Sequence, residues 1–419
     1  MKKSIFFLII LSLFIVPLYA LDEAVQDEAV PIEKINVITS IEIIGLKRTK
    51  LHIAKYPLEK YLGQDREAFD EKDVFATVKN MSVLEPVSAE LIDADNELIL
   101  RVTVEEKWSV FPFPLIFAGS GETSFGLFLF DANAFGLRNT AVLGGAYGSN
   151  GWSAIAMYSH TSNRQGVPGW TGVFMFNHQE KENVDRDEQV HRVYSADRFL
   201  VSSGLNYSFT DYFIGSAGIY FSSISLKDND NIFNPPDSGA MIVGISPRLS
   251  LRQSSWDGYF LSGQSISLDY SYNFAIYGSS YHQVDLRGVY EKSLIPGFRL
   301  NIRSGGSWKS TEDPLFEDGP QKAQVSILPR KYSALHYAGL SAGLEKYLYK
   351  NRWGTLSVQS AYQCVLSYRL DSEFEFDHGP SSGVVFYLSR VALPAIGTGL
   401  AYNVVSGLFQ FSFSMGMSF

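Results

Sequence analysis

The segment Gly339-Leu340-Ser341-Ala342-Gly343 spells G-x-S-x-G, and Asp371 and His378 follow it in hydrolase order. That pattern yields a nucleophilic serine only on a strained turn between a strand and a helix. Here it falls inside an alternating run with Leu340, Ala342 and Leu344 on one face, where glycines relieve crowding. Asp228-Asn229-Asp230-Asn231 offers oxygens to a calcium ion but lacks the glycine and terminal glutamate of a dedicated loop. The seven histidines are scattered, and the single cysteine, Cys364, has no activating base beside it in sequence. The residues point away from catalysis: no catalytic residue, metal site or cofactor is expected.

The elements that carry these residues are those of an exported β protein. Only 19% of the 419 residues are charged, against about 25% in a typical soluble chain, while 14% are aromatic. The net charge of −9 gives no bulk attraction to nucleic acid. Residues 1–20 read as a secretory signal: Lys2 and Lys3, an apolar stretch over 5–17, then Leu18-Tyr19-Ala20 before Asp22 and Glu23. A retained anchor is the other reading of that stretch. Beyond it, no apolar run approaches the roughly 20 residues of a membrane helix.

Residues 21–32 read as a linker and 33–106 as a small domain of order β-α-α-β-β. A strand at 35–44 ends at Gly45. A helix at 50–62 must accommodate Pro57, and a second begins at Asp70 as N-cap, with Val74, Phe75 and Val78 on one face. Strands at 87–92 and 98–105 close the unit. A generic small α+β domain fits the same pattern.

From Trp108 onward the helical period gives way to alternation. At the C-terminus, Phe409, Phe411, Phe413, Met415, Met417 and Phe419 share one face, against Gln410, Ser412, Ser414, Gly416 and Ser418. The stretches 264–274 and 298–303 repeat the pattern. A soluble sandwich would turn the apolar face inward, a membrane barrel outward to lipid. Strands of 9–11 residues or more, the terminal Phe419 and alternating loop lengths favour the barrel. Sixteen strands are predicted: 108–117, 122–132, 139–148, 151–160, 169–178, 197–209, 212–225, 240–252, 259–274, 281–291, 297–308, 336–349, 354–368, 381–392, 396–404 and 407–419. Long polar connections are expected after the fifth, seventh, eleventh and thirteenth, and tight ones after the sixth, twelfth and fourteenth. The acidic run 180–188 reads as a solvated outer loop.

The N-terminal unit resembles a POTRA domain, through Ile41-x-Ile43-x-Gly45-x-x-x-Thr49, Leu62-Gly63 and the closing Val104-Glu105-Glu106. Leu84-Glu85-Pro86-Val87 stands where that family has Phe-x-x-Val. One such unit before a sixteen-stranded barrel at 107–419 resembles the BamA/TamA superfamily of insertases and translocators, also known as bacterial surface antigens. Glu106-Lys107-Trp108 with Phe111-Pro112-Phe113-Pro114, and Asp131-Ala132-Asn133-Ala134-Phe135-Gly136, carry the likeness. So does Arg330-Lys331-Tyr332 in the long loop before the twelfth strand, where the family has Arg-Gly-aromatic. Tyr362-Gln363-Cys364-Val365 replaces the family's Phe-x-Asp-x-Gly.

The resemblance implies a loop folded into the lumen, with the arginine pairing to carboxylates on the thirteenth and fourteenth strands. It also implies a seam between the first and last strands that opens to a substrate strand. The implied place is the outer membrane of a diderm bacterium, with the N-terminal domain in the periplasm. The implied partners are outer-membrane lipid, unfolded outer-membrane or secreted proteins, and periplasmic or lipoprotein accessory subunits. The alternative is a passive channel or surface antigen of the same architecture without insertase activity.

Overall fold

The computed structural model describes residues 36–415, apart from 95–96, 120–121, 150, 161–166, 229–230, 257–259, 371–373 and 389–394. The signal segment, the linker, Asp371, Met417 and Phe419 lie outside the described residues. The chain divides into two compact units between Lys107 and Trp108.

The first unit contains β1 (Ile38–Ile44), α1 (Leu51–Lys55), α2 (Glu71–Lys79), β2 (Leu84–Ala94) and β3 (Glu97–Glu106). β3 lies between β1, to which it is parallel, and β2, to which it is antiparallel. The helix expected at 50–62 is shorter. Pro57 lacks the amide an α-helix needs, so the chain tightens into a 3-10 turn over Tyr56–Tyr61. The Asp70 side chain caps α2 by accepting from the Lys72 amide at 2.9 Å. β2 begins earlier than expected and tolerates Pro86 because it is an edge strand with a bulge between Pro86 and Ser88.

The expected Gly45 and Thr49 positions meet at β3. Gly45 has φ +100°, and a Cβ there would lie 1.9 Å from the Val104 carbonyl oxygen. Ile43 pairs with Val102. Thr49 is buried, and its amide donates to Glu106 Oε1 at 2.6 Å while the Arg48 amide donates to Oε2 at 2.8 Å. Burial raises the Glu106 pKa, but the Thr49 hydroxyl and the amides of Thr49, Arg48 and Lys47 outweigh it, and the pKa is lowered. The stabilisation is therefore full above the carboxyl's unfolded value and is lost as pH falls through the lowered folded one. Glu106→Gln is expected to cost the domain about 1–2 kcal/mol near neutral pH, the low end for bonds to a charged group half open to water. It should also flatten the acid limb of the domain's unfolding, followed by circular dichroism against pH. An acid limb as steep as in the parent protein would contradict this.

The second unit is one antiparallel sheet of sixteen strands in chain order, forming a transmembrane barrel. They are β4 (Val110–Gly119), β5 (Glu122–Ala134), β6 (Asn139–Gly148), β7 (Gly151–His160), β8 (Gly169–Val184), β9 (Val190–Ser208), β10 (Phe213–Lys227) and β11 (Ala240–Trp256). Then come β12 (Leu261–Tyr277), β13 (Tyr281–Ile295), β14 (Phe298–Lys309), β15 (His336–Lys350), β16 (Gly354–Tyr368), β17 (Phe374–Leu388), β18 (Ala395–Tyr402) and β19 (Phe409–Met415). No helix among the described residues is long and apolar enough to cross a membrane.

The faces separate as a barrel in lipid requires. Phe409, Phe411 and Phe413 are 55–73% exposed, and so, across the ladder from Phe411, is Leu400 at 51%. On β14 the charged face is the buried one: Arg299 and Arg303 are 3% and 6% exposed, while Phe298, Leu300 and Ile302 are half-buried. A soluble sandwich would show the reverse. Leu268, near the middle of β12 and flanked by Leu249 and Leu286, lies in the apolar belt. Leu268→Arg is expected to destabilise the barrel by about 2–4 kcal/mol. Urea unfolding in vesicles checks this, and a loss no larger than that of Leu268→Ala would contradict it.

Two of the expected long connections are shorter, because the strands beside them run on. The acidic run 180–188 is mostly strand: β8 and β9 pair out to Val184 and Val190, leaving a turn at 185–189. Pairing needs only backbone, and these polar side chains meet the protein's own loop and water instead of lipid. β17 begins at Phe374 instead of 381, because Glu375, Asp377 and Gly379 sit on its inward face, which shortens the expected long connection to 369–373. The long connections that remain, 228–239 and 310–335, are both at the end of the barrel opposite the start of β4, the far end.

Candidate functional site

The lumen is occupied by the chain's own segment 310–335, between β14 and β15. Asp313 caps a 3-10 turn at Pro314–Phe316 by accepting from the Leu315 amide at 2.9 Å. Leu315 and Phe316 are buried with Tyr194, Ala196, Ile224 and Tyr281 of β9, β10 and β13, the Phe316 and Tyr281 rings lying 4.5 Å apart. Further along, Ala323, Ile327, Leu328 and Tyr332 form a second cluster with Tyr337, Val365 and Ala401. The wall is made of glycine where the loop presses on it: a Cβ at Gly305 would lie 1.8 Å from the Lys322 carbonyl oxygen, and one at Gly339 would lie 2.8 Å from Ala323.

Polar contacts pin the loop around the wall. Lys322 Nζ reaches Asp285 of β13 at 2.7 Å, and Gln363 of β16 accepts from the Ser326 amide at 2.7 Å. Glu317 is buried, accepts from Arg192 of β9 at 3.1 Å, and its carbonyl accepts from Lys181 of β8 at 2.9 Å. These ties hold both apolar clusters at fixed depth, since each buried charge has a fixed partner.

The three expected loop residues have separate places. Lys331 reaches Glu182 of β8 at 3.0 Å. The buried Tyr332 hydroxyl meets Ser367 of β16 at 2.6 Å and donates to Glu375 of β17 at 3.2 Å. Arg330 is exposed. The Glu375 carboxylate on the inner wall is met by the tyrosine and by Arg369, 3.2 Å away. The expected Asn133 turn is tied by its side chain, which accepts from the Arg138 amide at 2.8 Å.

Near the other end stands a cluster that the sequence did not single out. Arg299 donates to Glu345 at 2.8 Å, to Glu291 at 3.1 Å and to the Tyr387 hydroxyl at 2.7 Å. The fully buried Phe260, from the β11–β12 connection, packs its ring 4.7 Å from the guanidinium. Tyr387 donates to Glu345 at 2.8 Å, Ser357 also bonds Glu345, and Arg303 meets Glu291 at 3.2 Å. Sequence alternation placed Arg299 and Arg303 on a polar face, but Glu345 and Tyr387 are distant from Arg299 in the chain.

The edges of the sheet form the third part. Among the described residues no register pairs β4 with β19. Among the described residues, Ser381–Tyr387 of β17 pair with 395–401 of β18, Ile396–Tyr402 of β18 pair with Phe409–Met415 of β19, and Gly354–Tyr368 of β16 pair with Phe374–Leu388 of β17. β4 pairs with β5 without a break from Val110 to Gly119 although Pro112 and Pro114 have no amide hydrogen. Two residues apart, their nitrogens point to the same side, and the intact β5 ladder puts that side at the outer edge.

Ser341 lies mid-strand in β15 between Arg303 and Gln363, with no turn. His378 shares a face with Leu340 through Cys364, so Ser341 and His378 are on opposite faces of the sheet. Among the described residues no group of three or more His, Cys, Asp or Glu residues is placed to hold a metal.

No family model and no curated sequence matches the chain. Solved structures do. CdiB from Acinetobacter baumannii matches with a TM-score of 0.60 at 12% identity, over 92% of this chain and 74% of that one. CdiB from Escherichia coli matches at 0.57 and 10%, over 91% and 74%. BamA from Haemophilus ducreyi lacking POTRA domains 1–3 matches at 0.50 and 11%, over 90% and 84%. At these identities the likeness is one of fold, and the chain has the BamA and CdiB fold of a transmembrane barrel preceded by a small POTRA-like domain.

Proposed function

We propose that the chain is an outer-membrane protein of a diderm bacterium, its N-terminal domain in the periplasm, that assists the insertion or translocation of other proteins. The observation that carries this reading is the proline-bearing outer edge of β4. An edge that lacks two donors cannot zip fully onto a neighbouring strand, so the seam beside β19 stays cheap to open. An incoming strand then adds to the exposed edge by backbone hydrogen bonds, with its side chains sorted to lipid and lumen. The work is binding and conformational change, without covalent chemistry. In the N-terminal domain, the open edge of β2 offers a second place for an unfolded chain, and accessory periplasmic or lipoprotein subunits would dock outside the membrane.

A passive channel is the competing reading, and the packed loop 310–335 speaks against it. Depletion separates the two. Under our reading, depletion lowers the folded outer-membrane or secreted proteins that depend on this chain while small-solute permeability holds. Unchanged protein levels with reduced permeability would favour the channel.

A further inference from the structure

The hairpin at the tips of β8 and β9 reaches across the far mouth of the barrel. β9 is the sixth strand of the wall and β17 the fourteenth, so they stand on opposite sides. Arg186 Nη1 nonetheless lies 3.8 Å from Asp377 of β17. Glu188, in the turn, accepts from Gln410 Nε2 of β19 at 3.1 Å. At the base of the turn, His191 Nδ1 is 3.4 Å from Arg369 Nη1, beside β17, and Arg192 holds Glu317. The Val184 amide donates to the Lys331 carbonyl at 3.1 Å, so the hairpin also rests on the lumenal loop. The turn is shaped for this: the Asp185 carboxylate accepts from the amides of Asp187 and Gln189, both at 2.9 Å.

We propose that this hairpin is a latch, which closes the far mouth and holds the upper end of β19 against the wall. Its tip grips β19, the strand at the end of the sheet, and β17, two strands in from it. Outward movement of β19 breaks the Gln410 contact, and widening of the mouth breaks the Arg186 contact. The base of the hairpin is fixed by the buried Arg192–Glu317 pair, whereas at the tip the Glu188–Gln410 contact is exposed and Arg186 reaches the buried Asp377 only at 3.8 Å. The tip can therefore release before the base does. The inference rests on the reading above only in taking β19 as the strand that moves.

The test uses the full chain with Cys364→Ser, Glu188→Cys and Gln410→Cys, treated in the membrane with a short bifunctional thiol reagent. The two cysteines should be bridged in the folded protein, and the bridge should suppress opening in planar bilayers until it is cleaved. In a second arm, Arg186→Ala with Glu188→Ala should raise the open probability about tenfold, the shift given by ~1.4 kcal/mol of lost closed-state stabilisation. Absence of the bridge, or an open probability equal to the parent's, overturns the latch. Should the double variant fail to fold, Gln410→Ala read in the same way decides. No arm needs a substrate protein, so a latch that behaves as described in a protein that inserts nothing would survive the loss of the proposed function.

Discussion

Arg299→Ala is expected to destabilise the barrel by about 3–5 kcal/mol, the range for breaking a buried ion pair from one side. The guanidinium is 3% exposed, and its partners Glu345 and Glu291 sit on the two neighbouring strands. Without it, Arg303 still faces Glu291, but Glu345 keeps only the hydroxyls of Ser357 and Tyr387. A buried carboxylate with hydroxyl donors and no cation must either stay charged at high cost or take up a proton. Phe260 would lose the guanidinium it packs on and keep the Tyr387 ring, 5.8 Å away. Arg299→Lys should recover part of the loss, since a point charge cannot reach three acceptors in one plane. Urea unfolding of the membrane-inserted protein checks both variants. A cost below about 0.5 kcal/mol, as for an ordinary surface change, would contradict the assignment.

Removal of the lumenal loop is expected to turn a closed protein into an open pore. Barrels of 16–18 strands enclose an aqueous channel unless something fills it. Here the filling is 310–335, which buries Leu315, Phe316, Ile327, Leu328 and Tyr332 inside the wall. Replacing 312–333 by a short glycine-serine linker keeps β14 and β15 joined, because their ladder from Phe298 to Lys346 does not involve the loop. Single-channel recording should show a large and steady conductance where the parent shows rare openings. A conductance unchanged by the deletion would mean that the lumen is closed by something else.

The sequence showed the sixteen strands because side-chain alternation along a pleated strand is local and strict. Phe409, Phe411 and Phe413 could be assigned to one face without knowing any partner. Boundaries at the far end were less legible. Residues 180–188 lie beyond the apolar belt, so the lipid that imposes alternation elsewhere no longer acts there. Pro57 and Pro86 announced local trouble, and the structure answers it with a 3-10 turn and a bulge. The loop was harder. Arg330, Lys331 and Tyr332 were found by their order, yet which of them reaches the wall depends on how 310–335 packs across the lumen. Glu317, Arg192 and the Arg299 cluster carried no local signal: Glu345 lies 46 residues from Arg299, Tyr387 lies 88 from it, and Glu317 lies 125 from Arg192. The glycines at 305 and 339 were a usable hint: two gaps on an inward face mark where another segment lies against it.

The most direct measurement is the folding of an unfolded outer-membrane barrel precursor into liposomes, with and without the purified full-length protein in the bilayer. The account predicts faster appearance of the protease-protected, folded precursor when the protein is present, and a return toward the empty-liposome rate when β4 and β19 are chemically bridged. Equal rates with and without the protein, across several precursors, would contradict it.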